Sequence, residues 1–135
     1  MDKQEILDIA NEAYPKIVKY FGKGKKAIPE IKVYRNVFVD LTGDEDAEGE
    51  DTPSGRYDRD AGKISLYSDY IPDKEELLRA LIHEYTHYKQ PDDLDTKYYN
   101  QGYTYQNNPA ELEAIRAEER QGAPARRGAA PVEPL

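Results

Sequence analysis

Only 25 of the 135 residues are Ile, Leu, Val or Phe, while 12 are Tyr. So few aliphatic side chains, with a formal charge of −8, would ordinarily mark a chain that cannot bury enough apolar surface to fold. The tyrosines reverse that expectation. Each buries a large ring while its hydroxyl finds a partner. Counting them gives 37 bulky residues, enough for one small core and too few for two large domains. No apolar stretch approaches the roughly 18 residues of a transmembrane helix. The segment MDKQEILDIA is charged from residue 2 and has no apolar signal core, so a cytoplasmic protein is expected. The absence of cysteine excludes disulfides, iron–sulfur clusters and thiolate zinc sites. The acidic balance disfavours a nucleic-acid binder, which needs a basic face for phosphates.

Residues 2–21 read as a helix, because Ile6, Ile9, Ala10, Ala13 and Ile17 recur at helical spacing. Pro15 lies inside it and is expected to kink or split it. Residues 31–41, IKVYRNVFVDL, alternate and read as a strand bulged near Arg35. Residues 42–56 form an acidic loop, with seven acids and no base from Asp40 to Asp51. That run does not keep the register of a calcium-binding loop and reads as a solvated surface. Residues 57–68 read as a second strand, with Ile64 and Leu66 on one face. Residues 73–90 are the strongest helix: Asp73 caps it, Glu76 completes a capping box and Pro91 ends it. A further helix opens at Asn108-Pro109 and runs to about Gln121. The remainder, residues 122–135, reads as a flexible tail. The expected organisation is one α+β domain over 1–121 followed by that tail.

The strongest helix contains His83-Glu84-Tyr85-Thr86-His87, an H-E-x-x-H pattern. Two histidines four apart lie one turn apart on one helix face, so both imidazoles can reach one zinc ion. Glu84 sits about 100° further round, where it can take a proton from a zinc-bound water whose pKa the metal lowers to about 7. These are the only two histidines in the chain. With His83 at 0°, Leu77, Leu78, Leu81, Tyr85 and Tyr88 fall between about 120° and 220°. The histidines therefore lie off the apolar arc and face either open solvent or a cleft.

A catalytic zinc keeps three protein ligands and one open position. With no third His and no Cys, the third ligand must be a carboxylate. Asp92, Asp93 and Asp95 follow the helix too closely to turn back easily. The next helix offers Glu111 and Glu113, beginning 24 residues after His87. Two residues apart, they point about 200° from one another. With Glu111 at 0°, Ile115, Leu112 and Ala114 flank it, whereas Glu113 falls beside Arg116 and Arg120 on a solvated face. Glu111 is therefore the expected ligand.

The pair of motifs, H-E-Y-T-H on one helix and N-P-A-E-L-E-A opening the next, resembles the gluzincin metallopeptidases. It is most similar to the compact minigluzincins and to ImmA/IrrE-type peptidases. The resemblance covers residues 1–121. It implies a zinc-dependent peptidase with an N-terminal helix, a small twisted β-sheet, an active-site helix and a glutamate helix. It takes the first Glu of the E-x-E-A element, Glu111, as the metal ligand, and it places the strand around Gly62–Tyr67 at the cleft rim, where an extended peptide adds as another strand. Minigluzincins include latent forms whose C-terminal segment blocks the cleft, a role open to the tail here. The chain lacks the additional His of larger gluzincins, so the oxyanion donor is sought among Tyr98, Tyr99, Tyr103 and Tyr105, with Tyr105 as the candidate. The expected enzyme is a monomer that hydrolyses a protein or peptide through Zn²⁺ held by His83, His87 and Glu111. Glu84 is its general base, and neither nucleic acid nor a membrane is a partner. The alternative is a non-catalytic zinc-binding interaction protein on the same fold.

Overall fold

A computed structural model describes residues 1–91, 101 and 108–120, with the side chains of 119 and 120 excepted. The fold is α+β: four α-helices surround a three-stranded mixed sheet. Helix α1, Lys3–Phe21, buries Ile6, Ala10 and Ile17. It runs unbroken through Pro15. The proline removes one main-chain bond, while the flanking Ile17 packs into the core and Tyr14 rests its ring edge on Tyr85 at 5.8 Å.

Strand β1, Glu30–Tyr34, is followed not by more strand but by a short helix, α2, Val37–Thr42. The alternation over 31–41 suggested one continuous strand, and the structure corrects this. Asn36 reverses the chain: its Oδ1 accepts from the main-chain N–H groups of Phe38 at 2.9 Å and Val39 at 3.0 Å. Gly43 closes the helix at φ 76°, in the left-handed region that glycine adopts without steric cost. A local cap thus overrides a pattern of period two.

The stretch 57–68 is likewise two strands. Strand β2, Gly55–Asp58, turns back into β3, Lys63–Tyr67. Asp58 makes the turn by accepting from Gly62 N at its carbonyl, at 2.9 Å, and from Ala61 N at its side chain, at 3.1 Å. Strand β3 is central, parallel to β1 (Ile31 opposite Ile64, Val33 opposite Leu66) and antiparallel to β2 (Tyr57 opposite Ile64, Gly55 opposite Leu66). Ile64 and Leu66 are wholly buried, a gain of about 1.5–3 kcal/mol each. With both sides of β3 occupied, the rim expected around Gly62–Tyr67 cannot accept a further strand. The described edge toward α3 belongs to β2.

Helix α3, Lys74–Lys89, is capped by Asp73, whose Oδ1 accepts from Glu76 N at 2.9 Å. The Glu76 carboxylate does not complete the expected capping box. It accepts from Ser54 Oγ at 2.8 Å and approaches Arg79 at 3.4 Å. Helix α4, Pro109–Arg120, starts under Asn108, whose Oδ1 accepts from Ala110 N at 2.9 Å. No described helix is long and apolar enough to cross a membrane. The proposed tail over 122–135 and Tyr98, Tyr99, Tyr103 and Tyr105 lie outside the described residues.

Candidate metal centre

Leu77, Leu81, Tyr85 and Tyr88 of α3 are buried in the core, which turns His83, Glu84 and His87 away from it. Little of either histidine is left open: His83 is 5 % exposed and His87 8 %. Helix α4 covers them. Its contacts descend α3 as its own numbering rises, from Gln90 against Ala110, through His87 against Glu111, to His83 beside Glu118. The two helices are therefore antiparallel.

The face that α4 buries differs from the arc read in the sequence. Ala110, Ala114, Ala117, Glu111 and Glu118 are buried, whereas Leu112 and Ile115 are half-buried. Three alanines at this seam let the two helices approach closely. Placed among them, Glu111 reaches both imidazoles. Its Oε2 lies 2.8 Å from His83 Nε2 and its Oε1 3.0 Å from His87 Nε2. Glu113 is exposed and outside this cluster. Buried His83, His87 and Glu111 offer ligand atoms all within 4.8 Å of one another, close enough to bind one metal ion.

The three side chains shift one another's protonation. Burial raises the pKa of Glu111, but hydrogen bonds from His83 and His87 outweigh it and hold the carboxyl well below its ordinary range. Burial depresses the two imidazoles, yet their bonds to Glu111 prevail and both are raised. For His83 the nearby Glu118 adds to the rise. Burial raises Glu84, with the neighbouring histidines opposing it. Raised imidazoles beside a lowered carboxyl are the mark of groups bridged by protons, and a divalent cation that displaced those protons would meet the same Glu111 carboxylate.

Glu84 does not touch the cluster's shared point. Its Oε1 accepts from the main-chain N–H of Tyr57 on β2 at 3.1 Å. The edge of β2 therefore faces α3 across an open cleft of about 310 Å³, lined by Pro53, Tyr57 and Arg59 together with His83, Glu84, His87 and Glu111. A second cleft of similar size continues past Ser54, Glu76 and Ala80 and shares His83 and Glu84 with the first. Gly55 is required where they meet. A Cβ there would come within 3.0 Å of the Ser65 carbonyl and press on Leu66.

Three contributors escaped the sequence reading. Glu118 is seven residues after Glu111, which returns it to the same helix face within about 20°, a spacing visible in the chain. Gln90 lies three residues after His87, and its Oε1 faces the ring's Nδ1 as an acceptor at 2.8 Å. Tyr57 acts through its main chain, which leaves no trace in residue type. Comparison with protein-family models, curated proteins and solved structures returns no match, so the functional reading stands on this geometry.

Proposed function

We propose that the chain is a zinc-dependent peptidase. The observation that carries this is the convergence of both imidazole Nε2 atoms on Glu111, with the Glu84 carboxylate held at the mouth of the same cleft by Tyr57 N–H. Two imidazoles and one carboxylate are donors that suit zinc and leave a coordination position open. Zinc bound there would polarise a substrate carbonyl and lower the pKa of a water toward about 7.

The protein's own residues supply the remaining functions. Glu84, with its pKa raised, is suited to take a proton near neutral pH and to release it to the leaving amine. Tyr57 N–H fixes the direction of the carboxylate, so that it faces the cleft. The edge of β2 offers main-chain groups along which an extended peptide can lie as an added strand. A protein or peptide is accordingly the substrate class.

The test is elemental analysis of purified protein loaded with zinc, followed by hydrolysis of an unstructured protein substrate with and without chelator. One zinc per chain and chelator-sensitive cleavage support the reading. A protein that takes up no zinc overturns it. A protein that holds zinc but cleaves nothing is the interaction protein of the alternative reading.

A further inference from the structure

An imidazole that binds a metal through Nε2 must carry its remaining proton on Nδ1, and the group facing Nδ1 decides whether it does. Here the two histidines face unlike groups. His87 Nδ1 lies 2.8 Å from Gln90 Oε1. His83 Nδ1 is buried without a hydrogen bond and lies 3.8 Å from Glu118 Oε2.

The Gln90 amide is committed at both ends. Its Nε2 donates to the Ala110 carbonyl at 2.9 Å and to Glu113 Oε1 at 3.3 Å. Those two bonds require Nε2 to be the amide nitrogen, so Oε1 must be the acceptor turned to His87. Glutamate would keep the acceptor and lose both donors, and methionine would lose all three. Gln90 therefore links the His87 ring to the first turn of α4, where Glu111 stands. Glu118 is 2 % exposed. Its Oε2 is the carboxylate oxygen that faces His83 Nδ1, at 3.8 Å.

We infer that Gln90 and Glu118 are positioning residues of the metal centre, each accepting the Nδ1 proton of one histidine and so turning both Nε2 lone pairs to the ion. This rests on the metal-binding reading above and assigns what holds its ligands. The two supports differ in charge. The carboxylate behind His83 makes that ring the more basic donor, whereas the neutral amide behind His87 fixes direction and ties the ring to α4.

The experiment uses the full chain, with zinc as the probe. Zinc affinity is measured by chelator competition, and the ring nitrogens are assigned by two-bond ¹H–¹⁵N spectroscopy of the zinc-loaded protein. The wild type should show both rings with metal on Nε2 and a proton on Nδ1. Gln90→Met and Glu118→Met preserve bulk but remove the acceptor. Each should weaken zinc about 10–100-fold and disturb the Nδ1 proton signal of its own histidine alone. Glu118→Gln restores an acceptor and should recover the His83 signal, which a role in packing alone does not predict. Methionine variants with wild-type affinity and unchanged rings overturn the inference, as does a wild-type ring that carries its proton on Nε2. Should the variants fail to fold, the wild-type spectrum alone decides. Zinc binding without any cleavage removes the peptidase reading and leaves this inference standing. A wild type that binds no zinc ends both.

Discussion

Asp40 and Glu111 are both acids with buried side chains, 1 % and 10 % exposed, but the cations they meet differ in kind. Asp40, on α2, receives Lys63 Nζ at 2.6 Å and the Tyr67 hydroxyl at 2.6 Å from β3. Lysine is permanently charged at neutral pH, so this network is balanced by the chain itself and fastens α2 to the sheet. Glu111 meets the imidazoles of His83 and His87, and an imidazole is charged only when protonated. Balance between α3 and α4 therefore depends on something taken up from solution, protons or a metal ion. The first region is a finished piece of fold. The second has the character of a receptor, and it is the one that opens onto a cleft.

Altering each region separately shows what each one supports. Glu84→Gln keeps the shape of the side chain but cannot accept a proton. It should retain zinc and lose about 10²–10⁴-fold in hydrolysis rate, read by turnover on the same substrate and zinc content of the same sample. Turnover at the wild-type level would remove Glu84 from the mechanism. Next in size, Glu111→Ala should weaken zinc by more than about 100-fold, beyond what supporting residues contribute, whereas Glu113→Ala should leave affinity within about threefold. The reverse pattern would transfer the ligand role to Glu113.

Asp40→Asn tests the other region. It leaves Lys63 facing a neutral group in a largely buried place, a loss of about 3 kcal/mol measurable by urea unfolding, with zinc stoichiometry unchanged. Loss of zinc with little loss of stability would show that the two regions are not independent. The smallest effect is the pH dependence of that network. Burial acts to raise the Asp40 pKa, but the hydrogen bonds from Lys63 and Tyr67 win and hold it below the ordinary value. Its contribution is therefore fully present above the unfolded carboxyl value of about 3.9 and is lost as pH falls through the lower folded value. The stability gap between wild type and Asp40→Asn should be constant from about pH 5 to pH 7 and shrink below about pH 4. A gap that persists at lower pH would show that packing, not charge, holds α2 in place.

Much of the site was legible because helices advertise themselves locally. Asp73 and Pro91 bracket α3, Asn108 and Pro109 open α4, and the spacing of His83 and His87 follows from the helical repeat alone. The sheet was less legible. The run 31–41 alternates in its first half because it is a strand, and in its second half by coincidence around the cap at Asn36. The hairpin turn at Asp58–Gly62 was hidden inside a stretch with strand-like ends. Asp40 counted among the solvated acids of its loop, because a sequence does not show that Lys63, 23 residues later, comes back to meet it.

Composition already names the residues that could serve a metal: two histidines, no cysteine, and hence a carboxylate as the third donor. The sequence also determined that Glu111 and Glu113 point apart. These are consequences of composition and of the fixed rotation per residue in a helix. Which side of α4 faces α3 was decided only by the tertiary structure, because the buried seam is made of Ala110, Ala114 and Ala117 rather than of the larger Leu112 and Ile115. Small side chains carry little hydrophobic signal along the chain, yet they are what permits two helices to come close enough for Glu111 to meet both imidazoles. The same approach brings Glu118 to His83, and the packing of β2 on α3 sets Tyr57 N–H against Glu84, contacts between elements that no local pattern encodes.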